Sequence, residues 1–128
     1  MGLNLFLPDT NVLIYGLAGH SLSAQFLREW IEQKTLTLSV VVVAEFLTQA
    51  TTKEEKTFEA LIDQFGSLPI DTTIARIAAS YRKSFLKTGY KLKLPDCLIA
   101  ATAKFYHSTL VTFDIKDFPM QDIKKLKL

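Results

Sequence analysis

Residues 3–16 read LNLFLPDTNVLIYG, and the fold turns on how this stretch is divided. Leu3–Leu7 is a short apolar run, so it predicts a buried strand that Pro8 brings to an end. Asp9 then stands just beyond the strand's carboxyl end, where Asp9 or Thr10 can cap the segment that follows. Three further stretches place a carboxylate in the same way, at the edge of an apolar run. They are SVVVVAEFL (39–47) with Glu45, LPDCLIAATA (94–103) with Asp96 and LVTFDIKDF (110–118) with Asp114.

Between these stretches strand-like and helix-like periods alternate. Residues 21–33 carry Leu22, Phe26, Leu27, Trp30 and Ile31 at helical spacing, with Ser21 or Ser23 as the cap. TLTLS (35–39) alternates and reads as a strand. VVVV (40–43) has strand propensity but continues into Ala44–Gln49 as a helix, with Ser39 as the N-cap at the switch. A helix is expected over 54–66, ended by Gly66. SLPI (67–70) reads as a short strand, and residues 72–87 as a helix. Pro95 suits the first turn of another helix running to about Tyr106. TLVTF (109–113) is a strand, and the tail from Met120 adds an edge strand. Alternation of this kind predicts a single α/β domain over 1–128, a three-layer α/β/α arrangement around a mainly parallel sheet. In such sheets ligands collect at the carboxyl ends of the strands. Asp9, Glu45 and Asp114 follow predicted strands and Asp96 opens a helix, so the topology brings at least three of the four together.

Clustered carboxylates raise one another's pKa and call for a cation. Oxygen-only ligands favour Mg²⁺ or Mn²⁺. Bound between such acids, one or two ions support phosphodiester hydrolysis by acidifying a water and neutralising phosphate charge. Thr10, Asn11 and Thr112 are placed to orient the carboxylates. Taken singly, each acid also has a plainer explanation: a cap, a helical Glu near a positive helix end, or a turn residue. Their joint arrangement is the signal.

Charge distribution points the same way. The net charge is +2 over 128 residues, yet no acid lies between Asp71 and Asp96. That interval carries Arg76, Arg82, Lys83, Lys87, Lys91 and Lys93, with Tyr81, Phe85 and Tyr90 interleaved. Arg82, Lys83, Lys87, Lys91 and Lys93 are therefore candidates for contacting the substrate, since a basic approach to an acidic pocket suits a polyanion cut at a metal. Cys97 is the only cysteine, which excludes an intrachain disulfide and suits a reducing cytoplasm. No apolar run reaches the roughly 20 residues of a membrane helix, and the start does not read as a signal peptide.

Other chemistries fit less well. A haloacid-dehalogenase-like phosphatase needs a second acid two residues after the first, and Asn11 occupies that position. A receiver-like module would need a phospho-acceptor and a lysine for which Asp71 and Lys116 are poor stand-ins. There is no nucleophile-elbow serine motif and no P-loop. Cys97, on an apolar helix face, reads as core, and His20 and His107 read as loop residues.

With these motifs laid out, the chain resembles the PIN-domain family of nucleases, and within it the VapC-type toxins of toxin–antitoxin pairs. DTNVLIY resembles the family's opening motif, and the stretches around Glu45, Asp96 and Asp114 its other three. The resemblance spans nearly the whole length. It implies a metal-dependent endoribonuclease in which Asp9, Glu45, Asp96 and an acid after the fourth strand bind Mg²⁺ or Mn²⁺. Asp114 is favoured for that last place, with Asp117 competing. It also implies an RNA substrate, a small antitoxin and a homodimer. A non-catalytic metal- or RNA-binding module of the same fold is the alternative. Val42 stands where many relatives carry a hydroxyl, and Phe113 where many carry arginine. Phe113 offers instead an aromatic face on which a base can stack.

Overall fold

The computed structural model describes residues 4–128. Strand β1 (Leu5–Pro8) is followed by six helices: α1 (Thr10–Leu17), α2 (Ser21–Glu32), α3 (Val40–Gln49), α4 (Thr52–Phe65), α5 (Thr72–Leu86) and α6 (Leu94–Phe105). Strand β2 (Ser108–Thr112), a 3₁₀ turn (Ile115–Asp117) and strand β3 (Lys125–Lys127) complete the chain. The strands pair in the order β1-β2-β3, and both ladders are parallel. Leu5 pairs with Ser108 and Pro8 with Val111, so β1 and β2 end side by side. Successive strand residues face opposite sides of a sheet, and Leu110 and Val111 are both 0% exposed. The sheet is therefore covered on both faces at β2, as the three-layer α/β/α reading requires.

Two expected strands are corrected. Residues 35–39 and 67–70 are extended but make only isolated parallel bridges, Phe6 with Leu36 and Ser39 with Leu68. They still widen the sheet: the Phe6 amide donates to the Thr35 carbonyl at 2.8 Å and the Leu68 amide to the Leu38 carbonyl at 2.7 Å. Each segment is stopped early by the helix-capping residue that follows. Ser39 accepts from the Val42 amide and opens α3, and Asp71 accepts from the Ile74 amide and opens α5. Leu3 of the expected first strand lies outside the described residues, and the strand runs on through Pro8. Helix α4 begins two residues earlier than expected because Thr51 and Glu54 form a reciprocal capping box. The edge strand expected from Met120 is β3, confined to three residues.

One core cluster joins the layers, from Leu7 and Leu13 through Phe46, Phe58 and Ile74 to Ile99, Leu110 and Phe118. Phe58 and Trp30 belong to it, while Phe26 packs at its margin. Phe46 and Phe58 stack with ring centroids 4.1 Å apart and lock α3 onto α4. Burying each ring contributes about 1.5–3 kcal/mol. Helices α1 and α2 approach closely at Gly16, where a β-carbon would lie 3.0 Å from Leu27 Cδ2. Cys97 is buried in α6, as its apolar surroundings suggest. No described helix is long and apolar enough to cross a membrane.

Candidate active site: an acidic cleft at the strand ends

The end of β1 fixes the first acid. The Asp9 amide donates to the Val111 carbonyl at 2.8 Å, which joins it to the end of β2. As the N-cap of α1, Asp9 accepts from the Thr10 amide through Oδ1 at 2.8 Å. Its Oδ2 accepts from the Thr112 hydroxyl at 3.3 Å. The Thr112 hydroxyl in turn accepts from the Asp114 amide at 3.1 Å. Thr10 reaches the other way and donates its hydroxyl to Glu45 Oε1 at 2.6 Å. Two threonines thus tie three separate segments together.

Helix α3 delivers Glu45 by packing. Val42 and Phe46, four residues apart, are buried on the core side. Glu45 and Gln49, also four apart, share a face that lines the cleft. Asp96 arrives in the first turn of α6, whose remaining turns are almost wholly buried. Asp114 precedes the 3₁₀ turn and Asp117 ends it, and both line the same cleft. The cleft encloses about 340 Å³ and gathers Asp9, Glu45, Asp96, Asp114 and Asp117, with Thr10 and Asn11 at its wall.

Five carboxylates face one lysine, Lys93, across this space. The imbalance registers in their acidity. Burial raises the Asp9 carboxyl above its ordinary range, and the charges of Glu45 and Asp117 add to it, while hydrogen bonds from Thr10 and Thr112 oppose. Asp96 is pushed up to about 6, by burial first and then by Asp9, Asp117 and Glu45, with Lys93 pulling the other way. Asp117, rather than Asp114, is the late acid whose charge reaches both Asp9 and Asp96.

Among the described residues, no three His, Cys, Asp or Glu side chains are grouped as an ion's ligands would be. Asp9 and Glu45 have their oxygens turned onto Thr10 and Thr112. Glu45, Asp114 and Asp117 are exposed side chains with room to reorient. The donor chemistry fits a hard divalent cation, since only oxygen ligands are on offer and their surplus negative charge is uncompensated.

All eight sequence-predicted site residues meet here except Thr112, which acts from behind Asp9. Sequence reasoning missed Gln49, although its place one turn beyond Glu45 marks the same helix face. Lys93 was expected on the approach and instead lines the cleft. Arg82, another candidate for contacting RNA, is less open than the lysines. It is only partly accessible, its Nε is buried without a partner among the described residues, and its charge acts on Cys97. Lys83, Lys87 and Lys91 are exposed.

A PIN-domain family model matches residues 6–124, nearly the whole described chain. The protein belongs to the PIN-domain family. This PIN domain is 31% identical over 116 residues to Ribonuclease VapC10 of Mycobacterium tuberculosis, covering 91% of this chain and 87% of that protein. A chain of a toxin–antitoxin complex from Klebsiella pneumoniae is 29% identical, with a TM-score of 0.73 over 90% of this chain and 91% of that one. VapBC2 from Rickettsia felis, solved on a DNA fragment from its promoter, has a TM-score of 0.81 at 18% identity, a likeness of fold that covers 97% and 98% of the two chains. The four motifs of this PIN domain therefore sit in the fold that their resemblance implied.

Proposed function

We propose that the protein is a divalent-metal-dependent endoribonuclease, the toxin of a toxin–antitoxin pair, whose centre is the acidic cleft. One observation carries the reading: carboxylates from four separated segments line a single cleft at the ends of parallel strands. The relationship to Ribonuclease VapC10 supplies the substrate class. Asp9, Glu45, Asp96 and Asp117 would hold Mg²⁺ or Mn²⁺, which when bound supplies positive charge for the scissile phosphate and a more acidic water. Asp114 lines the same cleft and is the other candidate for the late place.

The chain's own residues prepare this centre. Thr10 and Thr112 fix the directions of Glu45 and Asp9 through the hydrogen bonds at 2.6 and 3.3 Å. Lys93 offers the cleft its own cation for a phosphate oxygen. Lys83, Lys87 and Lys91 extend positive charge along the approach and steer a polyanion towards it. Asn11 lines the cleft where a haloacid-dehalogenase-like mechanism needs a proton-donating acid, which argues against that phosphatase. Toxin–antitoxin complexes among the structural relatives support a small antitoxin as partner, and a homodimer and a cytoplasmic setting belong to the same reading.

The deciding experiment is cleavage of a fluorescent structured RNA with Mg²⁺ or Mn²⁺, with and without EDTA. Cleavage should vanish in EDTA and fall at least about 100-fold in Asp9→Asn and in Asp96→Asn. If both variants cut at the wild-type rate, the cleft is not the catalytic centre.

A further inference from the structure

A second pocket adjoins the acidic cleft, and nothing in the four motifs accounts for it. It encloses about 380 Å³ and is lined by Tyr15, His20, Ser21, Leu22, Ser23 and Phe113. Tyr15 is the centre of an aromatic cluster, 4.8 Å from His20 and 5.4 Å from Phe113 between ring centroids. Tyr15 is 42% exposed and lies outside the core cluster. The floor is polar. Ser23 is 2% exposed and lines the pocket. Beside it the first turn of the twelve-residue helix α2 has no side-chain cap, because His20 at the N-cap makes no such bond.

Both pockets are carried by the same two segments. Ile14 lines the acidic cleft and Tyr15, the next residue, lines the second pocket. Asp114 lines the cleft and Phe113, the residue before it, lines the second pocket. The two sites thus share the backbone of α1 and of the segment that leaves β2.

We propose that this pocket is a nucleotide subsite, in which one unpaired base of the RNA next to the scissile phosphate stacks on Tyr15 and Phe113. The inference rests on the cleft being the RNA-cleaving centre. Aromatic faces accept a base whatever its sequence. The Ser23 hydroxyl and the uncapped amides at the start of α2 are donors for the oxygens of the same nucleotide. The subsite requires a single-stranded residue at the cut, because a paired base cannot enter it.

The test uses short single-stranded oligoribonucleotides with one 2-aminopurine base, moved along the strand, bound to the Asp96→Asn protein so that the RNA stays intact. Stacking should quench the fluorescence at one position. Tyr15→Leu and Phe113→Leu should abolish that quenching, and Tyr15→Trp should retain it. In otherwise wild-type protein the two leucine variants should lower kcat/KM by about 5- to 100-fold, the factor expected for losing one stacked base. On RNA made abasic at that position, variants and wild type should cut alike. No quenched position, or equal losses on intact and abasic RNA, overturns the subsite and leaves the ribonuclease reading standing. Quenching that depends on Tyr15 and Phe113 without any cleavage would keep the subsite and overturn the ribonuclease.

Discussion

Replacing Asp96 with asparagine should make the metal-free protein more stable at neutral pH. Burial and the charges of Asp9, Asp117 and Glu45 hold the Asp96 carboxyl at about 6 in place of its ordinary 3.8. A rise of about two units corresponds to a ceiling of about 3 kcal/mol of penalty for the ionised form. Asp96 is partly open to solvent, so roughly half of that survives. Removing a negative charge from the first turn of α6 forfeits about 0.5 kcal/mol. The net gain for Asp96→Asn is then about 1 kcal/mol, or about 4 °C in Tm. The sign follows from linkage. An acid whose folded pKa is raised binds more protons folded than unfolded, so stability falls as pH climbs from 3.8 towards 6. The penalty is complete above that window and absent below it, so the variant's advantage should be full at pH 7.5. At pH 4.5 the penalty on wild type drops to about a third of its full value, and the advantage nearly disappears. Urea unfolding of both proteins in EDTA at the two pH values measures this. A variant less stable than wild type at pH 7.5, or one with the same advantage at both pH values, would falsify the account of Asp96 as a carboxylate strained by its neighbours.

Four further outcomes follow from the same geometry. Asp117→Asn should remove most of the Tm rise that Mn²⁺ produces in the wild type, and Asp114→Asn should keep it; the reverse order in a thermal-shift titration would return the fourth place to Asp114. Thr10→Val leaves Glu45 without its 2.6 Å partner and should cost about 10- to 100-fold in divalent-ion affinity or in RNA cleavage, read by calorimetry and by initial rates. Changing Lys83, Lys87 and Lys91 together to alanine should flatten the salt dependence of single-stranded RNA binding by about two units of log–log slope, and an unchanged slope would place the binding face elsewhere. Phe58→Ala breaks the stack with Phe46 and should destabilise the protein by about 3–5 kcal/mol in urea unfolding, with α3 and the Glu45 it carries loosened first under hydrogen exchange.

Much of the fold was legible because local signals and global packing agree. Ser39 capping α3, Gly66 ending α4 and Pro95 opening α6 all appear where the sequence placed them. Helix α1 was harder, because its eight residues span barely two turns, too few to establish a helical period. The segments at 35–39 and 67–70 show the limit from the other side. Their residues prefer extended backbone, but whether an extended segment becomes a ladder depends on partners distant in sequence and on how soon a cap turns the chain away.

By itself, the sequence determined an alternating α/β chain, four acids at the ends of its apolar runs, and a basic interval before Asp96. Those are properties of local period, capping and composition. Only the tertiary structure decided which acids share a field, because charge interactions depend on distance in space and not on spacing along the chain. It set Asp117 against Asp9 and Asp96, brought Lys93 and Gln49 into the cleft, and half-buried Arg82. It also set Tyr15 beside Phe113 across nearly a hundred residues, a meeting fixed by α1 packing at the end of β2.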